Sequence, residues 1–140
     1  MNAAESTLPT NRSALPPVLW WLQLEGLAVA VLSLILFTRT DASWWLFATL
    51  WLVPDLSTIG YWAGPRVGAN CYNTVHSYLL PIALMVALLL LHRTMLQALA
   101  LIWFNHIGVD RLLGYGLKYS SGFGITHLKR LGRRPGSSAS

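Results

Sequence analysis

Trp103-Phe104-Asn105-His106-Ile107-Gly108-Val109-Asp110-Arg111-Leu112-Leu113-Gly114-Tyr115-Gly116-Leu117-Lys118 is the stretch where an apolar run gathers an imidazole, a carboxylate and a guanidinium before breaking at Gly-Tyr-Gly. On a helix His106 and Asp110 stand four residues apart, share a face and can meet. The apolar residues leading into them put that pair where hydrocarbon is expected.

Composition agrees with a lipid environment. Of 140 residues, 54% are hydrophobic, 11% are charged and seven are tryptophan, which is unusual for one soluble domain. The net charge of +5 does not point to nucleic acid, because the basic residues concentrate in the last quarter. Lys129, Arg130, Arg133 and Arg134 read instead as a cytoplasmic flank drawn to anionic lipid, so the expected partner is membrane lipid and not nucleic acid. One cysteine, Cys71, excludes an intrachain disulfide framework. The first 17 residues lack the pattern of a cleaved leader, so the first apolar segment is expected to stay as an anchor.

The expected fold is all-α: an integral membrane four-helix bundle with both termini on the cytoplasmic side. Residues 1–17 read as a flexible tail, 18–118 as the transmembrane domain, and 119–140 as a basic cytoplasmic tail. The spans are expected at about 18–37, 44–61, 71–91 and 95–113, each long enough for a hydrocarbon core of about 30 Å. Trp44 and Trp45 form an interfacial belt, Pro54 should kink the second span just before Asp55, and 62–70 reads as a turn on Gly64-Pro65-Arg66 and Gly68. The first and third loops carry only Arg39 and Arg93, whereas the second loop and the tails carry Arg12, Arg66, Lys118 and the basic cluster, which sets the orientation.

Depth singles out one layer. Counting along the helix rise from the cytoplasmic ends, Glu25 lies about 12 Å in, Asp55 roughly 10 Å, His76 about 8 Å, His106 about 11 Å and Asp110 about 5 Å. The opposite half of every span has no ionisable residue. Each charge in a membrane helix costs about 2.5–3.5 kcal/mol on insertion scales, so five at one level need one another or a ligand.

Two imidazoles with two or three carboxylates match the donor set of a divalent metal, zinc first, or of a dinuclear iron or manganese centre. Asp55, His76, His106 and Asp110 are the expected metal ligands, with Glu25 or His127 moving protons. Asn73, three residues before His76, shares its face and could support a ligand; with Arg66, Arg111 and Lys118 it is also a candidate contact to substrate. The reading this favours is a metal-dependent hydrolase-like enzyme that attacks a lipid from the cytoplasmic leaflet with water made acidic by the metal. One alternative is a metal-free enzyme using a buried acid on an isoprenoid or other lipid, and another is a non-enzymatic relay or scaffold.

A resemblance joins these residues. Over about 24–132 the chain resembles a bacterial family of small integral membrane proteins known as domain of unknown function 4260. The likeness rests on Leu24-Glu25-Gly26, Pro54-Asp55-Leu56-Ser57, Gly60-Tyr61, Gly64-Pro65-Arg66-Val67-Gly68-Ala69, Tyr72-Asn73 with His76, His106 with Asp110-Arg111, Gly114-Tyr115-Gly116-Leu117-Lys118-Tyr119 and Thr126-His127. It implies a bacterial inner-membrane location and leaves function open. More distantly, Pro54-Asp55, His76-Ser77 and His106 with Asp110 look like the inner-membrane-bound metal-dependent hydrolases of the LexA-regulated type. That likeness implies a metal held by these residues and water activated on a lipid-like substrate. The chain departs from the hydrolase pattern where an earlier histidine is expected, since Asn73 and Val75 occupy that region, and Glu25 is the candidate replacement.

Overall fold

A computed structural model describes residues 16–118, and every helix and turn below lies within them. The elements are α1 (Pro16–Phe37), α2 (Trp44–Leu50), a 3-10 helix (Val53–Ala63), α3 (Pro65–Val75), α4 (Leu79–Leu90), a 3-10 turn (Thr94–Leu96) and α5 (Gln97–Leu112). Two stretches, Pro17–Phe37 and Pro65–Leu90, are long and apolar enough to cross a membrane. The tails at 1–15 and 119–140, and His127 with them, lie outside the described residues.

α1 starts on prolines, whose missing N–H groups fall where a helix has no acceptor to offer. Its buried residues, Gly26, Ala30, Ser33 and Phe37, recur at the three- and four-residue steps of one face. That face lies antiparallel on α5. Gly26 and Gly108 meet at one end of the crossing, where a Cβ on Gly108 would come within 2.8 Å of both the Ala30 nitrogen and the Gly26 carbonyl oxygen. Phe37 packs with Ala98, Leu101 and Ile102 at the other end. Small residues let the two backbones touch, and Asn105 ties them midway by donating to the Ala30 carbonyl (2.8 Å) and the Ser33 hydroxyl (3.3 Å). Trp51 donates its indole N–H to the Asn105 oxygen at 3.0 Å, joining the second segment to the same core.

The other apolar segments do not run straight. Ser43 caps α2 by accepting from the Trp45 amide, but α2 ends at Leu50, four residues before Pro54, where the proline ring would meet a helical carbonyl. The chain continues as an eleven-residue 3-10 helix that begins with the Asp55 amide donating to Leu52, so Asp55 leaves the segment at a break and not in mid-helix. Runs of 3-10 helix this long are uncommon and often mark a functional segment.

The expected turn at 62–70 is corrected by the structure. Gly64, at φ 118°, ends the 3-10 helix, and Pro65 opens α3 at once. Gly68 is kept in that helix by packing, because the Tyr61 ring lies where its Cβ would be. The third apolar segment is therefore helical from Pro65 and is interrupted at residues 76–78. Pro81, in the first turn of α4, has no N–H to donate to the Ser77 carbonyl and its ring would meet that carbonyl, as Pro54 would at the end of α2. Both α4 and α5 close with paired capping bonds: Arg93 donates to Leu88 and His92 to Leu89, and Tyr115 donates to Asp110 and Gly114 to Arg111.

The outside is apolar and much of the inside is polar. Trp20, Trp21, Trp45, Trp62, Leu79 and Leu90 are exposed, whereas His76, His106, Asn105, Ser33 and Lys118 are buried. This inversion is what an apolar solvent would favour.

Candidate metal centre

Four ionisable side chains meet inside this frame. Asp55 comes from the start of the 3-10 helix, His76 from the break between α3 and α4, and His106 with Asp110 from successive turns of α5. Their nearest ligand atoms all lie within 4.8 Å of one another. The two Nε2 atoms are 3.2 Å apart. Asp55 Oδ1 lies 3.5 Å from His76 Nε2 and 3.6 Å from His106 Nε2, and Asp110 Oδ2 lies 3.5 and 3.8 Å from the same atoms.

These lengths test whether a metal fits. A tetrahedron has edges about 1.63 times its bond length, so ligands about 2.0–2.2 Å from zinc stand about 3.3–3.6 Å apart. Five of the six edges, at 3.2 to 3.8 Å, bracket that interval, and the sixth, between the two aspartates, is no longer than 4.8 Å. Two carboxylates within 4.8 Å of one another repel, and a divalent cation between them removes the repulsion. The quartet could hold a metal ion. His76 and His106 are almost wholly buried, at 2% and 1% exposure, and Asp110 is at 16%, but the Asp55 side chain is at 49%, so the opening is on the Asp55 side.

Neighbours fix these side chains. His76 Nδ1 faces the Tyr72 carbonyl at 3.1 Å, which holds a proton there and leaves Nε2 for the centre. The Tyr72 hydroxyl donates to Asp110 Oδ2 at 3.3 Å, and its ring stacks on His76 with centroids 3.8 Å apart. Trp51 packs its ring edge-to-face on His106, whose Nδ1 has no hydrogen-bond partner among the described residues.

The remaining candidates are arranged as follows. Arg111 donates to the His76 carbonyl (3.1 Å) and to the Tyr115 carbonyl (3.3 Å), tying the end of α3 to the loop after α5. Asn73 makes two bonds to the backbone of Lys118, donating to its carbonyl at 2.8 Å and accepting from its amide at 2.7 Å. The Lys118 ammonium then lies 3.8 Å from the centre of the Tyr72 ring, which is held between it and His76. Burial lowers the Lys118 ammonium from 10.5 to about 8. Glu25 is outside the quartet and lines a cavity of about 490 Å³ with Gly26, Tyr78 and Arg111. Arg66 is exposed beside Gly64 and Pro65.

Tyr72, Trp51 and Asn105 support the centre without having been singled out by depth, since none is ionisable near neutrality. The signal for Tyr72 was its place one turn before His76.

The geometry defines a helical protein built around two buried histidines and two aspartates, one of them half-exposed. Residues 20–131 match the family model described as Domain of unknown function (DUF4260), and the chain belongs to that family. No curated protein and no solved structure matches it.

Proposed function

We propose that the protein is a four-span integral membrane enzyme, with both termini in the cytoplasm, that uses a divalent metal to hydrolyse a lipid reached from the cytoplasmic leaflet. One observation carries this reading: four donors from three separate segments converge within 4.8 Å, and five of their six separations lie near the edge length of a zinc tetrahedron. Soluble packing gives no reason to bury two imidazoles against two carboxylates at such cost, and a lipid solvent gives less. The exposed tryptophans and leucines, and the two stretches long enough to cross a bilayer, support the membrane setting.

Asp55, His76, His106 and Asp110 would hold the metal, with zinc the best match to two imidazoles and two carboxylates. Bound there, it supplies a Lewis acid beside which water gives up a proton near neutral pH. The chain's own residues do the rest. The Tyr72 carbonyl and hydroxyl orient His76 and Asp110, and Trp51 closes the inner side of His106 against water. Asp55, open to its surroundings, marks the side from which substrate arrives. Asn73 fixes the backbone of Lys118, whose ammonium, held over the Tyr72 ring, is the candidate contact for an anionic headgroup. Glu25, in its cavity beside Arg111, is the described residue assigned to proton movement at the headgroup level.

Elemental analysis of the detergent-purified protein tests this. About one zinc per chain is expected, lost in His106→Ala. Lipid chemistry surviving exhaustive chelation overturns it in favour of a metal-free enzyme using a buried acid, and metal-free protein without activity overturns it in favour of a non-enzymatic relay or scaffold.

A further inference from the structure

A cleft of about 490 Å³ lies where α1, the end of α5 and Tyr78 come together, within the range of about 300–1,000 Å³ that takes small ligands. It is distinct from the quartet, although Arg111 follows Asp110 and Tyr78 stands two residues after His76. The helix crossing fixes its level. A Cβ on Gly26 would come within 2.6 Å of the Arg111 Cβ, so Glu25 and Arg111 stand side by side on α1 and α5. Arg111 belongs to the last turn of α5, which is the headgroup level in the proposed orientation.

Three polar residues line this cleft and leave one another unsatisfied. Glu25 is exposed and makes no hydrogen bond or ion pair with any described residue. Arg111 commits two of its five N–H donors to the His76 and Tyr115 carbonyls, and no ion pair joins it to Glu25. The half-buried Tyr78 has no hydrogen-bond partner for its hydroxyl among the described residues and lies in the field of both charges. The rest of the wall is hydrocarbon, from Leu22, Ala28 and Val29. An unpaired carboxylate and a part-used guanidinium at a lipid-facing surface are costly, and each calls for a counter-charge that the protein does not provide.

The occupant that answers both charges carries a cation and an anion a few atoms apart on an apolar stem. A phosphate alone is repelled by Glu25, and a metal ion by Arg111. A quaternary ammonium has no N–H to give the carboxylate and favours a cage of aromatic faces, where this cleft has only Tyr78. A primary ammonium donates to the Glu25 carboxylate and the Tyr78 hydroxyl oxygen, while a phosphate beside it accepts from Arg111. We propose that the cleft binds the headgroup of a phosphoethanolamine lipid, its ammonium on Glu25 and its phosphate on Arg111. The site rests on the membrane setting of the proposed function and not on the metal.

Native mass spectrometry tests this on the full chain released from nanodiscs holding equal amounts of phosphatidylethanolamine and phosphatidylcholine with identical acyl chains. Both lipids are zwitterionic, so the basic tail does not choose between them. Phosphatidylethanolamine should be retained about 3- to 10-fold more than phosphatidylcholine, and Glu25→Gln should bring that ratio to about one. Tyr78→Phe should lower the ratio without abolishing it. Arg111 is left intact because it also holds the His76 carbonyl. Equal retention of the two lipids, or a preference that survives in Glu25→Gln, overturns the site. Soluble glycerophosphoethanolamine at the same concentration should leave the lipid in place, and displacement by it overturns the lipid as the source of the headgroup. Metal content measured on the same samples separates the two readings: metal-free protein that keeps the preference refutes the hydrolytic centre alone, and metal-loaded protein without it refutes the headgroup site alone.

Discussion

The Nε2 atoms of His76 and His106 stand 3.2 Å apart, and an aspartate oxygen lies within 3.8 Å of each. Two ring nitrogens at that distance need one proton or one cation between them, since two protonated rings would repel. Tyr72 decides how firmly the arrangement is held, because it touches His76 through its carbonyl and its ring, and Asp110 through its hydroxyl. Tyr72→Phe keeps the stacking and the carbonyl and removes only the hydroxyl. Loss of such an outer contact should weaken metal affinity by about 10- to 100-fold while leaving the helices folded. Competition with a chelating dye measures it, and unchanged affinity would show that the hydroxyl does not support Asp110 as a ligand.

The crossing of α1 on α5 sets where His106 and Asp110 point, and it depends on Gly108. A methyl group there would press on the Gly26 carbonyl and the Ala30 nitrogen, both of them backbone and unable to step aside. Gly108→Ala should cost about 1–3 kcal/mol as the helices separate. Leu32→Ala, on the exposed side of α1, should change stability by no more than about 0.5 kcal/mol. Denaturant titration of both variants in detergent gives the comparison; a Gly108→Ala protein as stable as the parent would mean that the helices do not cross this closely.

How much of this was legible beforehand follows from what each signal encodes. Depth along the spans brought out Asp55, His76, His106 and Asp110, because a rise per residue fixes a level whatever the packing. Depth says nothing of the direction a side chain takes around its helix, so Glu25 could not be told from the other four by level. Its neighbour Gly26 faces α5, and Glu25 itself lines a separate cavity. Pro54 was legible as a break. Pro81 carries the same signal for the interruption at His76, but it was hidden in a run of leucines that reads as continuous helix. The pair Gly64-Pro65 was misread as a turn because proline is equally at home in the first turn of a helix, and the packing of Gly68 on Tyr61 outweighs its low helix propensity. The Asn73 clamp on Lys118 joins residues 45 apart and has no local signature.

His92 holds a left-handed backbone, with φ 53°, at the position after α4 where the paired capping bonds favour glycine. It is exposed, and among the described residues its imidazole makes no hydrogen bond or ion pair that would repay the conformation. His92→Gly should therefore stabilise the protein by roughly 1 kcal/mol, the left-handed cost being partly offset by the greater freedom of glycine in the unfolded chain. A raised midpoint in thermal unfolding is the expected result. An unchanged or lowered midpoint would mean that the imidazole makes a stabilising contact of its own.

Lys118 should give the protein a pH dependence in the alkaline range. Burial lowers its ammonium from 10.5 in the unfolded chain to about 8 in the folded one. Below about 8 both states carry the proton and the folded state bears the full cost of the buried charge. Between about 8 and 10.5 the unfolded chain binds more protons than the folded one, so this residue's contribution makes stability rise with pH across that window and level off above it. Comparison with Lys118→Met isolates the effect from other groups that titrate there. The stability of the parent relative to the variant should climb from pH 8 to pH 10.5 and stay flat from pH 6 to pH 7.5. A difference that does not vary with pH would show that the ammonium is as well solvated in the folded protein as in the unfolded chain. The clamp by Asn73 would then hold only the backbone in place.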